Sequence, residues 1–549
     1  AVVDAAIGPI VGTFLGQVRN ELGSASPDLL VMGSGGGLTA SREFHAKDAL
    51  LSGPAGGVAG AVAAGRSWGF DRLLTFDMGG TSTDVSRYDH GFVYTPEQQV
   101  GAACLSTMAI DVHTVAAGGG SVCHVEDGMM EVGPHSGGAD PGPACYGQGG
   151  PLCLTDIDLL AGRLVAQRFG VPVQRSAAEA ALDAVRAADD GGRSRDVIVD
   201  AMLARADRRM ANALREVSLR QGCDPREFVL VAFGGAGAQH ACAVADALDM
   251  ERILLPAGAS VLSAEGIAGA SVERSEVRQV LRPLDDIAGE LSTLVDSMAA
   301  AAGEQVVHSG IAAKTVGVRR VLLHLRLAGQ DSTIAVDWTI GCDPRQRFEA
   351  RFTALYGYAP PDRAVELESI HVLAGTSPPE RPMVVRAEPE TFAGSRMPHR
   401  IRFDGQWLDG VLVDRAELQS GDRLEGPALL CDDMTTVVLA PGWAATCGAD
   451  GGLLLERVRP IDAPSPVDAE STLERHADAF TAIASDMGAV LDRCAISVNV
   501  KERRDYSCTV HDPSGRLVVN APHLPVHLGS MGVCVRRVAE ALTCGPGDV

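Results

Sequence analysis

The sequence predicts a mixed α/β protein that opens with strands ending in glycine turns, continues into a β-rich part and then starts a fresh helix. Short apolar runs end in glycine turns at residues 33–37, 79–80 and 234–237, and each leads into a helix or a second strand. From about residue 273 to 457 the texture changes to alternating strands. At 459–470, Pro460, Pro464 and Pro466 among Asp and Ser mark a linker, and a helical pattern resumes at about 474. The expected organisation is 1–272, 273–458, a linker 459–470 and 471–549, in keeping with a 549-residue chain.

Composition narrows the function classes. With 46% apolar and 21% charged residues the chain is globular rather than disordered. A formal charge of −23 argues against nucleic acid or an anionic membrane as the main partner. Thirteen cysteines, an odd number without a C-x-x-C pair, argue for reduced thiols in the cytoplasm rather than a disulfide framework or structural zinc. No run of about 18 apolar residues exists, so no membrane span is expected. The chain opens without Met and stops at Gly545-Pro546-Gly547-Asp548-Val549, and is expected to be a piece of something longer.

Taken in order, residues 1–23 place Val3, Ile7, Ile10, Val11, Phe14, Leu15, Val18 and Leu22 at helical spacing, a helix expected to face a core. Asp28-Leu29-Leu30-Val31-Met32 is a strand running into Gly33-Ser34-Gly35-Gly36-Gly37. A glycine turn at 52–57 is expected to open a helix over 58–65, serving either an anion or close helix–strand packing.

The rest is arranged around Phe76-Asp77-Met78-Gly79-Gly80-Thr81-Ser82-Thr83-Asp84-Val85-Ser86. An apolar run precedes it and an alternating one follows, so the glycines sit in a hairpin turn. Gly79 and Gly80 let backbone N–H groups approach an anion, and Thr81, Ser82 and Thr83 add hydroxyls. Asp77 would repel a bare phosphate but suits a phosphate-bound Mg²⁺. There is no GK[ST] ending, so this is not a Walker A loop. The plain alternative is a hairpin with a capping Asp. Asp84 likewise either orients water or metal or caps the turn.

Residues 102–150 are expected to be the least regular, a long loop with a function. His113 and His135 there are either ligands and proton carriers or plain hydrogen-bonding residues; Cys145 has no identifiable base and is not taken as a nucleophile. Residues 155–221 are helical, with a long helix over 197–221. A strand at 227–233 closes on Gly234-Gly235-Ala236-Gly237 and a helix through His240, where an adenosine could rest against backbone. A strand at 252–256 and a helix at 263–270 follow. Val321, Leu323, Leu325 and Leu327 share one face of a strand over 316–327, paired with 332–338; a helix is expected at 346–355 and no catalytic constellation in this part. Past the linker come a helix over 474–494 and a hairpin through Asp512-Pro513-Ser514-Gly515. Asp505, His523 and His527 form a candidate divalent-metal set, although Pro522 and Pro525 exclude a regular helix there.

FDMGGTSTDVS, TVAAGGGS, VGPHSGGADPGPACYGQGGP and FGGAGAQHACAVADAL resemble, in this order, successive blocks of the hydantoinase A family in its 5-oxoprolinase branch, and residues 471–549 resemble the opening of hydantoinase B. The resemblance implies an α/β actin/Hsp70-like ATPase half-fold. It implies ATP and Mg²⁺ at Asp77, Gly79, Gly80, Thr81 and Thr83, with Gly234, Gly235 and Gly237 against the nucleotide. It also implies a further divalent ion, Zn²⁺ or Mn²⁺, in the B part. Asp505 at the KERxDYS position would be its ligand and a catalytic residue alongside Asp84, with His523 and His527 as ligands or substrate-facing groups. The implied activity is ATP-dependent hydrolysis of a small cyclic amide, 5-oxo-L-proline to L-glutamate, as in glutathione metabolism. Phosphorylation turns the inert amide into an activated imidate, and metal-activated water attacks it. Alternatives are an ATP-dependent hydantoinase or ketone carboxylase of the same family, or, in another class, a non-enzymatic actin-like ATP-binding protein. A homo-oligomer is expected. Two departures stand out: Ala238-Gln239-His240 replaces the family's Pro-Leu-His, and the family's first phosphate loop has no counterpart here. These 549 residues alone are therefore expected to be inactive.

Overall fold

A computed structural model describes residues 2–23, 29–100, 103–126, 128–219, 223–330, 333–356, 359–360, 362–379, 381–385, 387–459, 469–495, 497–501, 503–521 and 527–542. Apolar alternation makes Arg72–Met78 and Thr83–Asp89 an antiparallel hairpin, with Met78 opposite Thr83 and Asp77 opposite Asp84. On one side Val112–Val115 adds an antiparallel strand. On the other, Val229–Phe233 pairs parallel with Arg72–Met78, and Arg252–Leu255 parallel with Val229–Phe233. Every residue of Val229–Phe233 is buried, as its unbroken apolar run requires of a strand covered on both faces.

The sheet does not end there. It continues through Leu453–Arg457, Trp443–Cys447, Asp422–Glu425 and Glu390–Thr391 to a total of nine strands. These late strands, expected in a separate β-rich part, extend the first sheet because Arg252–Leu255 would otherwise present an open edge; Leu255 faces Leu453 and Ile253 faces Leu455. Two four-stranded sheets follow, and four two-stranded ones complete the described strands. In one four-stranded sheet, Glu273–Pro283, Val365–Thr376, Val316–Leu327 and Ile334–Asp337 lie side by side. Val321, Leu323, Leu325 and Leu327 are buried there as the alternation predicts, in one core with Phe348 and Phe352 of the Pro344–Tyr356 helix. The other sheet, Met397–Phe403, Gln406–Asp414, Ala428–Cys431 and Thr436–Leu439, is fastened to the long Arg195–Leu219 helix. Buried Arg402 makes that joint: it donates to both Asp200 oxygens at 2.8 and 2.6 Å and to Asp196 at 2.8 Å.

Other expectations change. Val2–Leu22 is helical, but none of its residues is buried, and Ile10 and Phe14 are 71% and 61% exposed. Helical spacing reports an apolar stripe, not the surface that would cover it. The Ser52–Ser67 helix absorbs the glycine turn expected at 52–57. A Cβ on Gly266 of the Leu262–Ala268 helix would collide with the Gly56 carbonyl, and one on Gly60 with the Leu262 carbonyl, so these glycines serve helix–helix packing. Residues 102–150 are more regular than expected: Ala103–Ile110, Val112–Val115, Ser121–Glu126 and Met129–Ser136 are strands. Their alternation is masked in the sequence by the glycines at their ends. Residues 460–468 of the expected linker lie outside the described residues; beyond them Ala469–Cys494 is a helix and Thr509–His511 pairs with Leu517–Asn520. Among the described residues no helix is long and apolar enough to cross a membrane.

A buried charge cluster ties the helices behind the sheet. His240, on the Gly237–Ala247 helix, places Nδ1 at 2.7 Å from Asp207 of the long helix. Its Nε2 lies 3.3 Å from Asp158, an ion-pair distance without hydrogen-bond alignment. Burial alone would favour the neutral ring, but the two carboxylates outweigh it and push the pKa up to about 10. The folded value exceeds the unfolded 6.5, so this contribution is complete below about pH 6.5 and is lost as pH rises toward 10. We expect the melting temperature to fall between about pH 7 and pH 9.5, and Asp207→Asn to lower it at pH 7 and flatten that slope. Thermal melts of both proteins at the two pH values check this; a wild-type melting temperature that does not change with pH contradicts the imidazolium.

Candidate functional site

The hairpin's open end is where chemistry-bearing groups converge. Asp77 and Asp84 sit directly opposite each other on adjacent strands, an arrangement that is destabilising for like charges. Burial, and then the charge of Asp84, push the Asp77 carboxyl up to about 6. Burial also raises Asp84, against the opposing effect of Thr114, whose hydroxyl donates to Asp84 Oδ1 at 2.6 Å. Two carboxylates held side by side in this way suit a divalent cation between them.

The turn itself is built on glycine backbone. Gly119 N–H donates to the Gly79 carbonyl at 3.1 Å, and Gly120 N–H to the Gly80 carbonyl at 2.6 Å. A Cβ on Gly118 would stand 2.7 Å from Ser82 N and 2.8 Å from Gly80 C, so the two loops touch main chain to main chain. A further layer supports the second loop: Gly137 N–H, Thr155 N–H and the Thr155 hydroxyl all donate to its carbonyls at 2.8–2.9 Å. In a trans peptide the C=O and the following N–H point opposite ways. With the Gly79 and Gly80 carbonyls turned into this support, the N–H groups of Gly80 and Thr81 point away from it, toward solvent. Neither N–H has an acceptor among the described residues, and both residues are exposed. That is an anion-accepting face beside a cation-accepting pair.

The remaining wall comes from the end of the parallel strand Val229–Phe233. Gly234, at φ +79°, lies so close that a Cβ would collide with Asp77 Oδ1, and Ala236 N–H donates to the Met78 carbonyl at 3.0 Å. On the other flank a Cβ on Gly57 would come within 3.2 Å of Asp77 Oδ2. Asp77 thus occupies a slot between two glycines. Gly235 is exposed, with open space where a side chain would be, whereas Gly237 is buried under the sheet, its Cβ position 3.5 Å from the Phe76 carbonyl.

The structure therefore brings together Asp77, Gly79, Gly80, Thr81, Asp84, Gly234 and Gly235. It does not bring Thr83 to the site: this residue is buried and its hydroxyl donates to the Ala117 carbonyl at 2.5 Å, because strand alternation turns it to the opposite face from Asp84. Gly237 likewise offers only close packing. Sequence reasoning missed Thr114, for which the Val-His-Thr-Val alternation at 112–115 was a usable sign that it would share a face with Asp84. Gly57 belongs to the glycine stretch at 52–57 weighed for an anion or for close helix–strand packing, and it packs against Phe233 of the strand as well as Asp77. Of the loop residues weighed earlier, His113 lies 3.6 Å from Glu216, and His135 is exposed. Cys145 is buried and its thiol is pushed up by burial. Its block is pinned by Asp156, which accepts from the N–H groups of Ala144, Cys145 and Cys153 at 2.7–3.0 Å.

In the last segment Asp505 Oδ1 and His527 Nε2 are 3.8 Å apart, a separation one cation could span with ligand bonds of about 2.1 Å. His527 Nδ1 is 3.2 Å from the Ser507 hydroxyl, which orients the ring. His523 lies outside the described residues. Among the described residues no group of three or more His, Cys, Asp or Glu side chains is arranged to hold a metal ion.

Known families account for most of the chain. Residues 1–276 match hydantoinase/oxoprolinase, 369–454 its C-terminal domain, and 470–549 hydantoinase B/oxoprolinase. 5-Oxoprolinase 1 of Arabidopsis thaliana is 32% identical over 577 residues, taking in 98% of this chain and 45% of the plant protein. 5-Oxoprolinase PfmaA of Pestalotiopsis fici is 31% identical over 576 residues, 99% of this chain and 45% of that protein. The chain spans a little under half the length of these curated relatives. Among solved structures, ATP-dependent caprolactamase from Pseudomonas jessenii superposes with a TM-score of 0.73 at 25% identity, over 83% of this chain and 69% of that one. With its first 276 residues matching one family description and later segments matching two companions of it, the chain belongs to the hydantoinase/oxoprolinase family.

Proposed function

We propose that the protein carrying this chain couples ATP hydrolysis to the opening of a small cyclic amide, with 5-oxo-L-proline as substrate and L-glutamate as product. The observation that carries this is the hairpin end, where outward N–H groups of Gly80 and Thr81 adjoin the Asp77–Asp84 pair. A lactam nitrogen is a poor leaving group and its carbonyl is resonance-stabilised, so activation must precede attack by water. Gly80 and Thr81 N–H groups bind phosphate oxygens, and the exposed Gly235 turn leaves room for the rest of the nucleotide. Asp77 and Asp84 hold the charge-neutralising side; Mg²⁺ bound there would offset negative charge on the transferring phosphoryl group. Thr114 fixes the orientation of Asp84. Asp505 and His527 present an oxygen and a nitrogen to a second cation, where water for the hydrolytic step would be activated. Relatives named 5-oxoprolinase support the substrate, and a structural neighbour named ATP-dependent caprolactamase supports the reaction class.

Three outcomes are expected of the complete protein. ADP release with 5-oxo-L-proline, caprolactam, hydantoin, or a ketone with bicarbonate offered separately should occur with 5-oxo-L-proline and yield glutamate in equal amount. ADP formed only with another compound replaces the substrate, and none with any of them removes the reaction class. Asp77 ionises above the unfolded value of 3.8, at about 6, so its charge weakens the fold, a cost absent below pH 3.8 and complete above pH 6. Asp77→Asn should therefore stabilise the fold at about pH 7 by up to roughly 1–3 kcal/mol, while Mg·ATP affinity falls at least about tenfold by calorimetric titration. Thr83→Val should do the opposite. It leaves the Ala117 carbonyl without its donor, at about 1–3 kcal/mol, and Mg·ATP affinity in the same titration stays within error.

A further inference from the structure

A cavity lies outside the hairpin site, with a volume of about 560 Å³. Its floor is the glycine loop at 33–37, where Gly33 N–H donates to the Gly37 carbonyl at 2.9 Å and Gly36 N–H to the Gly33 carbonyl at 2.9 Å. Its far wall comes from the four-stranded sheet of the β-rich part, through Glu273, Arg274 and His371. No catalytic constellation was expected in that part of the sequence.

The lining is unusual in its protonation. Glu273 packs on the loop, its Oε2 within 3.4 Å of where a Gly37 Cβ would be, and Oε1 accepts from the Ser271 hydroxyl at 2.5 Å. Burial raises its pKa, so the carboxyl holds a proton more readily than an ordinary one. His371 is 6% exposed, stacks on His324 at 4.3 Å, and is kept neutral, with a pKa of about 4, by burial and then by its neighbour. Its Nδ1 has no hydrogen-bond partner among the described residues, in an interior where such a group normally finds one. Arg274 is spoken for, donating to Glu43, Ser309 and Thr39. Lys47, a third exposed, holds Asp48 at 2.7 Å with one of its three donors and leaves the others to the opening.

A main-chain relay links the cavity floor to the strand that carries Asp84. The Ile110 N–H donates to the carbonyl of Ser34 in the cavity floor at 2.9 Å, and the next residue, Asp111, accepts from the Ser86 hydroxyl at 2.7 Å. Ser86 and Asp84 are two residues apart on one strand, a step of about 7 Å.

We propose that this cavity holds the organic substrate, a small ring amide, beside the nucleotide, with the Glu273 carboxyl and the His371 ring facing the amide and Lys47 facing any carboxylate it carries. A carboxyl oxygen that accepts and a ring nitrogen that donates match an amide, whose N–H and C=O need one of each. Glu273 and His371 are here binding residues; no step of the reaction is assigned to them. The inference rests on the lactam reading above.

The test uses the complete protein and two variants that act differently. Glu273→Gln changes the recognition group; Gly35→Val fills the space, since a Cβ there meets nothing nearer than the Met108 carbonyl at 3.5 Å. Both should raise the KM for 5-oxo-L-proline at least about tenfold while the KM for Mg·ATP stays unchanged. Lactam KM values within twofold of wild type, or equal losses for lactam and nucleotide, overturn the assignment. A second arm titrates 5-oxo-L-proline directly into nucleotide-free protein, where binding lost in both variants supports the site and binding retained overturns it. If the wild type binds the lactam but never releases ADP with it, the reaction proposed above fails while this site stands.

Discussion

The site depends on one contact: the peptide groups of residues 79–80 resting on those of residues 118–120 with no side chain between them. The two hydrogen bonds from Gly119 and Gly120 fix the direction of the Gly79 and Gly80 carbonyls, and peptide planarity then fixes the N–H groups on the other side. Backbone donors positioned in this way need no reorganisation when an anion arrives, which is the condition under which such groups act most strongly. The same device recurs around Asp77, where Gly234 and Gly57 stand against its two oxygens. The parallel strand Val229–Phe233 and the Thr155 props help keep these backbones in register.

Two charge clusters close to this sheet are balanced in opposite senses. Around His240 one cation lies between two carboxylates, so opposite charges already face each other. At the hairpin end two carboxylates face each other, with the Thr114 hydroxyl donating to one of them. Burial penalises both arrangements, but the second is the one that a cation from outside the chain would relieve. That asymmetry separates a structural ion cluster from a site.

The hairpin, the strand before Gly234 and the buried face of Val316–Leu327 were legible because each follows from local alternation and glycine placement. Other features were not, for reasons of the same kind. Thr83 was grouped with its neighbours by sequence adjacency, although strand geometry sends Thr83 and Asp84 to opposite faces. The glycines of 52–57 looked like a turn because glycine marks turns and tight helix crossings alike; only Gly266, some two hundred residues away, distinguishes them. The apolar face of Val2–Leu22 looked like a core face, and the late strands at 422–457 looked like a separate unit, because sheet membership is decided by edges that no local pattern records. The cavity beside Gly33–Gly37 was invisible for the strongest version of this reason: its floor and its wall lie more than two hundred positions apart in the chain.

Glycine-on-glycine contact also shapes how such a protein can change through mutation. A buried leucine can be trimmed in small steps, but every substitution at Gly118, Gly234 or Gly266 adds at least a Cβ where backbone or carboxylate already stands. These positions have no near neighbours in sequence space, so the glycine contacts cannot be altered gradually. The cavity wall, made of side chains such as Glu273, Lys47 and His371, carries no such restriction. Diversification within a lineage built on this frame would accumulate in the wall, with the loops inherited unaltered.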